Sequence, residues 1–140
     1  MRLGAGMDND DVRWRQRFSN YRKALRRFAE ATVACRKPQD RLSQEGLIQR
    51  FEYTFELAWK TLQDLFQERG LAEVRGPKPV LQQALQDGLI HDGLVWMEML
   101  RARNEAAHIY DEKIFLEIFG KATNEFLTPL ENLEKHLAAL

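Results

Sequence analysis

A chain of 140 residues, 44% hydrophobic and 30% charged, with 21 basic side chains balanced by 21 acidic ones, has the make-up of one globular domain that buries its core without disulfides or metals. That balance excludes intrinsic disorder and a fibrous protein, and no apolar run approaches the roughly eighteen residues of a membrane helix. The N-terminal stretch lacks the apolar segment of a secretion signal, so the expected location is the cytoplasm, with no membrane contact.

Residues 1–10, with two glycines and no apolar periodicity, are expected to form a flexible extension, and residues 11–140 a single domain. From about Asp10, Trp14, Phe18, Tyr21, Leu25, Phe28 and Thr32 recur at alternating four- and three-residue spacing, the mark of a helix with one buried stripe that ends near Lys37 and Pro38. Between Arg13 and Lys37 the only acid is Glu30, whereas acids outnumber bases from Asp111 onward. The basic stretch reads either as a phosphate-attracting surface or as a solvated face that pairs with acids elsewhere in the fold.

A second long helix begins between Leu42 and Glu45 and runs to Arg69, where Gly70 supplies the stop. Its stripe of Ile48, Phe51, Phe55, Ala58, Leu62 and Leu65 is widened by Trp59 and Phe66. A face that broad contacts more than one neighbour, in the middle of a bundle or at a subunit interface. Glu52, Glu56 and Lys60, one turn apart, form a polar stripe on the same helix, either an exposed ion-pair ladder or a strip facing a cleft or partner.

The run Gly70 to Pro79 is broken by two glycines and two prolines and is a loop. It lacks the closing Lys-Ser/Thr of a phosphate-binding loop. A short third helix follows from about Pro79 to Asp87, with Gly88 just past its end. A fourth runs from about Gly93, behind a candidate cap at Asp92, to about Ile109, through Leu94, Trp96, Met97 and Leu100. The fifth spans about Glu112 to His136, capped by Asp111, with Pro129 a kink or weak point. No strand-type alternation appears, so the expected fold is an all-α, antiparallel, up-and-down bundle of four to five helices. Trp59 and Trp96 belong in the core or a dimer interface. Cys35 has no second cysteine to pair with, and His91, His108 and His136 are scattered without zinc-ligand spacing, so neither a metal nor a cofactor is expected.

The end of the fourth helix concentrates chemically able side chains. Asn104 and His108, four apart, share a helical face that also carries Arg101, while Arg103 points to the side with a reach long enough to meet a phosphate held near the imidazole. Imidazole moves protons at neutral pH and a guanidinium matches phosphate oxygens, a pair suited to RNA cleavage without metal. Taken alone, the same spacing also fits a histidine that complements the helix dipole and an arginine paired with a surface acid.

The run Arg103-Asn-Glu-Ala-Ala-His108-Ile-Tyr110 resembles the HEPN motif: an arginine, a polar residue, three variable positions, a histidine, one residue and a tyrosine. The segment Ile48 to Lys60, IQRFEYTFELAWK, is similar to the second helix of the nucleotidyltransferase substrate-binding branch of that superfamily, and the resemblance extends over about Leu25 to Leu137. It implies a homodimer whose paired motif helices form a cleft, and a small, separate nucleotidyltransferase as partner in a two-component system of toxin-antitoxin type. It further implies that Arg103 stabilises a phosphate, His108 serves as general acid or base, and Asn104 and Tyr110 shape the binding of RNA or nucleotide. Tyr110 is also implied as an acceptor of nucleotidyl groups. The alternatives are a non-catalytic subunit that presents substrate to the nucleotidyltransferase, and a structural helical adaptor.

Overall fold

The computed structural model describes residues 9–106 and 111–140. These form six helices: α1 (Asn9–Ala34), α2 (Arg41–Glu68), α3 (Pro77–Gln86), α4 (Gly93–Ala106), α5 (Glu112–Asn124) and α6 (Leu127–Ala138). No strand occurs among the described residues, and none of their helices is long and apolar enough to cross a membrane. Of the expected N-terminal extension only Asn9 and Asp10 are described, and both lie in the first turn of α1.

Helix ends follow local chemistry. The Asp40 carboxylate accepts from the Ser43 N–H at 2.8 Å and opens α2. At the other end, Gly70 takes φ 87°, letting its own N–H reach the Gln67 carbonyl and that of Leu71 reach the Phe66 carbonyl. That pair of reversed bonds satisfies carbonyls the helix would otherwise leave open, and it needs a left-handed residue where only glycine is unstrained. Gly88 closes α3 in the same way, at φ 76°.

The expected fifth helix is two helices. Pro129 has no N–H to offer the Glu125 carbonyl, so an unbroken helix loses a bond there, and the chain turns at Glu125 and Phe126 before α6 begins. Pro129 then sits harmlessly in the first turn of α6. Asp111 caps α5 as expected, accepting from Lys113 N and Ile114 N.

α2 is the hub. It pairs along its length with α1 across a short connection and also packs on α3, α4 and α5, which is why its apolar face is broad. Every position of the α1 and α2 stripes read from sequence is buried. Phe51 lies at the centre, its ring 6.0 Å from those of Phe28 and Phe55 and 4.8 Å from that of Phe126. α6 is fastened to α1 by the buried Tyr21 hydroxyl, which donates to the Leu130 carbonyl at 2.5 Å. The buried face of α4 is Trp96, Met99 and Ala102; of the apolar residues expected along this helix Trp96 lies on that face, Met97 and Leu100 are half-buried against the core, and Leu94 is 80% exposed. With Leu94, Val95, Met97 and Leu100 flanking the core face, periodicity alone has no way to choose between adjacent stripes. Trp59 and Trp96 are both in the core.

Candidate functional site at the end of α4

The register of α4 decides where its polar residues go. Burial of Ala102 against the core places Arg103 at the margin of the α2–α4 contact, two-thirds covered, with its Nε donating to Glu56 Oε1 at 2.5 Å. Its Nη1 donates to Asn104 Oδ1 at 2.9 Å, so the guanidinium is held from two sides by one acid and one amide. Glu56 also faces the Lys60 ammonium at 3.8 Å. The polar stripe of α2 is therefore an ion-pair ladder that is also the wall against which Arg103 is set.

One turn before Glu56, Glu52 is half-buried, and burial pushes its carboxyl above the usual 4.5; Arg103 pulls it down in part, and Glu56 adds to the rise. Gln49, Glu52, Tyr53, Glu56 and Arg103 line a groove of about 460 Å³. On the other side of Glu52 a second recess of about 210 Å³ runs between α2 and the start of α5, bordered by Arg41, Ile48, Ala106 and Phe115. Arg41 lies 3.5 Å over the Phe115 ring and pairs with Glu45 and Glu112, joining the starts of α2 and α5. Toward α1, Gln49 and Tyr53 open into a third hollow of about 400 Å³ with Arg27 and Arg50. Gln49 borders all three, so the exposed face of α2 carries three adjacent recesses, with Arg103 on the wall of one and Arg41 and Arg50 at the other two.

Of the residues proposed from sequence, the structure brings Arg103 and Asn104 into direct contact. His108 and Tyr110 lie outside the described residues, which resume at Asp111. Arg101 turns the other way, into a recess between α4 and α5 with Glu98, Glu117 and Lys121. The contributions of Gln49, Tyr53 and Arg41 are not legible in the sequence, whereas Glu56 belongs to the polar strip for which a cleft-facing reading was open. Only the one-turn spacing of Glu52 and Glu56 hinted at a shared polar strip. Two of the basic residues of α1 are paired with acids elsewhere in the fold, Arg17 with the buried Asp64 at 2.7 Å and Arg22 with Glu134 at 3.2 Å, the pairing that the solvated-face reading expects.

Residues 16–139 match the family described as nucleotidyltransferase substrate binding protein like. The chain belongs to that family. The resemblance read from the Arg103 to Tyr110 run and from α2 is thereby borne out, and with it the HEPN-type bundle. Among curated proteins, the "Probable ribonuclease HepT" of Haemophilus influenzae is 30% identical over 80 residues, 54% of this chain and 55% of that protein. The aligned stretch is thus about half the length of that relative. A solved structure from Thermus thermophilus superposes with a TM-score of 0.73 at 29% identity, covering 84% of this chain and 98% of the other. A Haemophilus influenzae structure, described as revealing the fold of a substrate-binding domain of a nucleotidyltransferase, gives a TM-score of 0.75 over 86% of this chain and 98% of the other; at 23% identity it speaks for the fold. Membership in a family of nucleotidyltransferase substrate-binding proteins points to a nucleotidyltransferase as partner.

Proposed function

We propose that this chain is the HEPN-type partner of a minimal nucleotidyltransferase in a two-component system of toxin-antitoxin type, that it acts as a homodimer, and that it binds and cleaves RNA at the end of α4. The observation that carries this reading is the setting of Arg103: a guanidinium fixed by Glu56 and Asn104 on the wall of an open groove, five residues before His108 in a motif of matching order. A phosphodiester entering the groove meets a pre-oriented planar fork, which stabilises the charge that builds on the non-bridging oxygens.

In the reaction, the RNA 2′-oxygen bonds to the adjacent phosphorus as an imidazole removes its proton, and the bond from phosphorus to the 5′-oxygen breaks. The products are a 2′,3′-cyclic phosphate and a 5′-hydroxyl, the latter taking its proton from an imidazolium, with His108 of the two copies sharing the base and acid duties. Asn104 holds Arg103 in the geometry the phosphate needs. Tyr110 borders the bound nucleotide and is also the acceptor for control by the partner. Its phenolic oxygen attacks the α-phosphorus of a nucleoside triphosphate held by the transferase, pyrophosphate leaves, and the added bulk and negative charge exclude RNA.

A second reading, a non-catalytic subunit that presents substrate to the transferase, is favoured by the family description and by the fact that Glu56 already neutralises Arg103. Expression of the chain alone in a bacterial host separates the two. Growth arrest with RNA loss that disappears in His108→Ala supports the nuclease, while healthy growth with intact RNA on expression of the unaltered chain supports the presenting subunit. Co-purification with a small nucleotidyltransferase, followed by mass analysis of Tyr110 after ATP is added, tests the modification; an unmodified tyrosine in a confirmed complex removes it.

A further inference from the structure

The hollow between α1 and α2 differs in charge from its two neighbours. Its lining of Ala24, Arg27, Gly46, Gln49, Arg50 and Tyr53 contains no acid, whereas Glu52 borders both the Arg103 groove and the recess beside Arg41. Arg27 and Arg50 are exposed, and among the described residues neither forms an ion pair. Arg50 is nonetheless anchored, because its Nη1 donates to the Arg27 carbonyl oxygen at 2.8 Å across the two helices. A guanidinium carries several further N–H donors in a planar fork, and these are left for another acceptor. One turn beyond Arg50 on the same helix, the Tyr53 ring is 59% exposed.

Guanidiniums without a neutralising acid, beside a solvent-facing aromatic ring, fit a chain that alternates phosphates with flat bases. At about 400 Å³ the hollow lies within the roughly 300–1,000 Å³ of small-ligand sites, room for one nucleotide. Gln49 and Tyr53 line both this hollow and the Arg103 groove, so a strand crossing Tyr53 passes from one to the other. We propose that the α1–α2 hollow is a subsite for the nucleotide flanking the phosphate held at Arg103, its base on the Tyr53 ring and its own phosphate between Arg27 and Arg50; this rests on the reading of the Arg103 groove as the RNA site. A base inside a duplex has both faces covered, so the subsite takes single-stranded RNA, and because every base has a π-face it accepts any sequence. Arg27 thereby serves the phosphate-attracting role left open for the basic stretch of α1, which Arg17 and Arg22, paired with acids, do not.

The test titrates the full-length protein with a fluorescent 2′-O-methyl oligoribonucleotide, which lacks the attacking hydroxyl, as a single strand and as a duplex, over a range of salt. Arg27, Arg50 and Tyr53 are exposed, so Arg27→Ala, Arg50→Ala, Tyr53→Ala and Tyr53→Phe are expected to keep the fold, which thermal unfolding checks. Tyr53→Ala is expected to weaken single-strand binding about tenfold while Tyr53→Phe retains it, with duplex binding moved by neither. Arg27→Ala and Arg50→Ala should each weaken binding and lower its salt slope by about 0.7. Arg103→Ala, run beside them, reports on the groove itself. Binding that is lost in Arg103→Ala yet unchanged in the hollow variants overturns the subsite and leaves the groove reading standing, whereas no RNA binding by the unaltered chain removes both. A dimer that dissociates in Tyr53→Ala or Arg50→Ala, followed by light scattering, assigns the hollow to the second copy and overturns the subsite as well.

Discussion

Arg103 and Glu56 stand 47 residues apart in the chain yet share a 2.5 Å hydrogen bond between Nε and Oε1, the contact that ties the end of α4 to the middle of α2. The pair sits at the edge of the core with 31% and 26% of the two side chains exposed, where an ion pair adds little to stability. Its consequence is orientation. Glu56→Gln is expected to alter unfolding free energy by no more than about 1 kcal/mol. It should tighten binding of a non-cleavable RNA analogue several-fold, because an acid that competes with phosphate for Arg103 is gone, while the cleavage rate falls as the guanidinium loses its fixed pose. Equilibrium titration and single-turnover cleavage give the two readouts, and parallel changes in both would contradict the assignment.

Tyr21 and the Leu130 carbonyl make the corresponding link between α1 and α6, buried from water at both ends. Burial, with Glu134 and Glu131 nearby, raises the Tyr21 pKa well above its usual value, so the hydroxyl stays a donor at any physiological pH. Tyr21→Phe removes the donor and leaves a buried carbonyl with one partner fewer, which costs about 1–2 kcal/mol. Chemical denaturation should show this as a lower midpoint at unchanged slope.

Phe51 is in contact with aromatic rings from three other positions, on α1, α2 and the start of α6, and is wholly buried. Phe51→Ala opens a cavity among rigid rings that have little freedom to collapse, and the expected loss is about 3–5 kcal/mol. Phe51→Leu, which keeps most of the volume, should recover more than half of it by the same measurement.

How much of this was readable beforehand varies with how strongly each element is amphipathic. The stripes of α1 and α2, each carrying large apolar residues at regular turns, announce both helix and buried face, and Asp111, Gly70 and Gly88 mark helix boundaries by capping chemistry. α4 misled because Leu94, Val95, Met97 and Leu100 crowd around the true face of Trp96, Met99 and Ala102, so several stripes compete. At the site, Arg103 and Asn104 were found through a local motif. Gln49 and Tyr53 were not, since their part in the groove arises only when α2 is laid against α4, and the one-turn spacing of Glu52 and Glu56 left a ladder and a cleft-facing strip both open. The meeting of Arg27 with Arg50 was hidden for the same reason, being a product of the packing of α1 on α2.

Glu52 supplies a pH-dependent signature of the groove. Its carboxyl is raised from 4.5, chiefly by burial, with Arg103 opposing and Glu56 reinforcing the rise. A carboxyl whose folded pKa exceeds the unfolded value favours the fold while protonated. Its contribution is full below about pH 4.5, fades as pH climbs through the raised folded value, and is absent at neutral pH, where the charged form is held in a partly desolvated place. Glu52→Gln, neutral at every pH, is therefore expected to be more stable than the unaltered chain at pH 7, with the advantage shrinking to nothing as pH falls toward 4. Urea unfolding at a series of pH values reads the difference directly. An advantage that stays constant across the series, or that grows on acidification, would show that the Glu52 carboxyl is not desolvated in the groove beside Arg103.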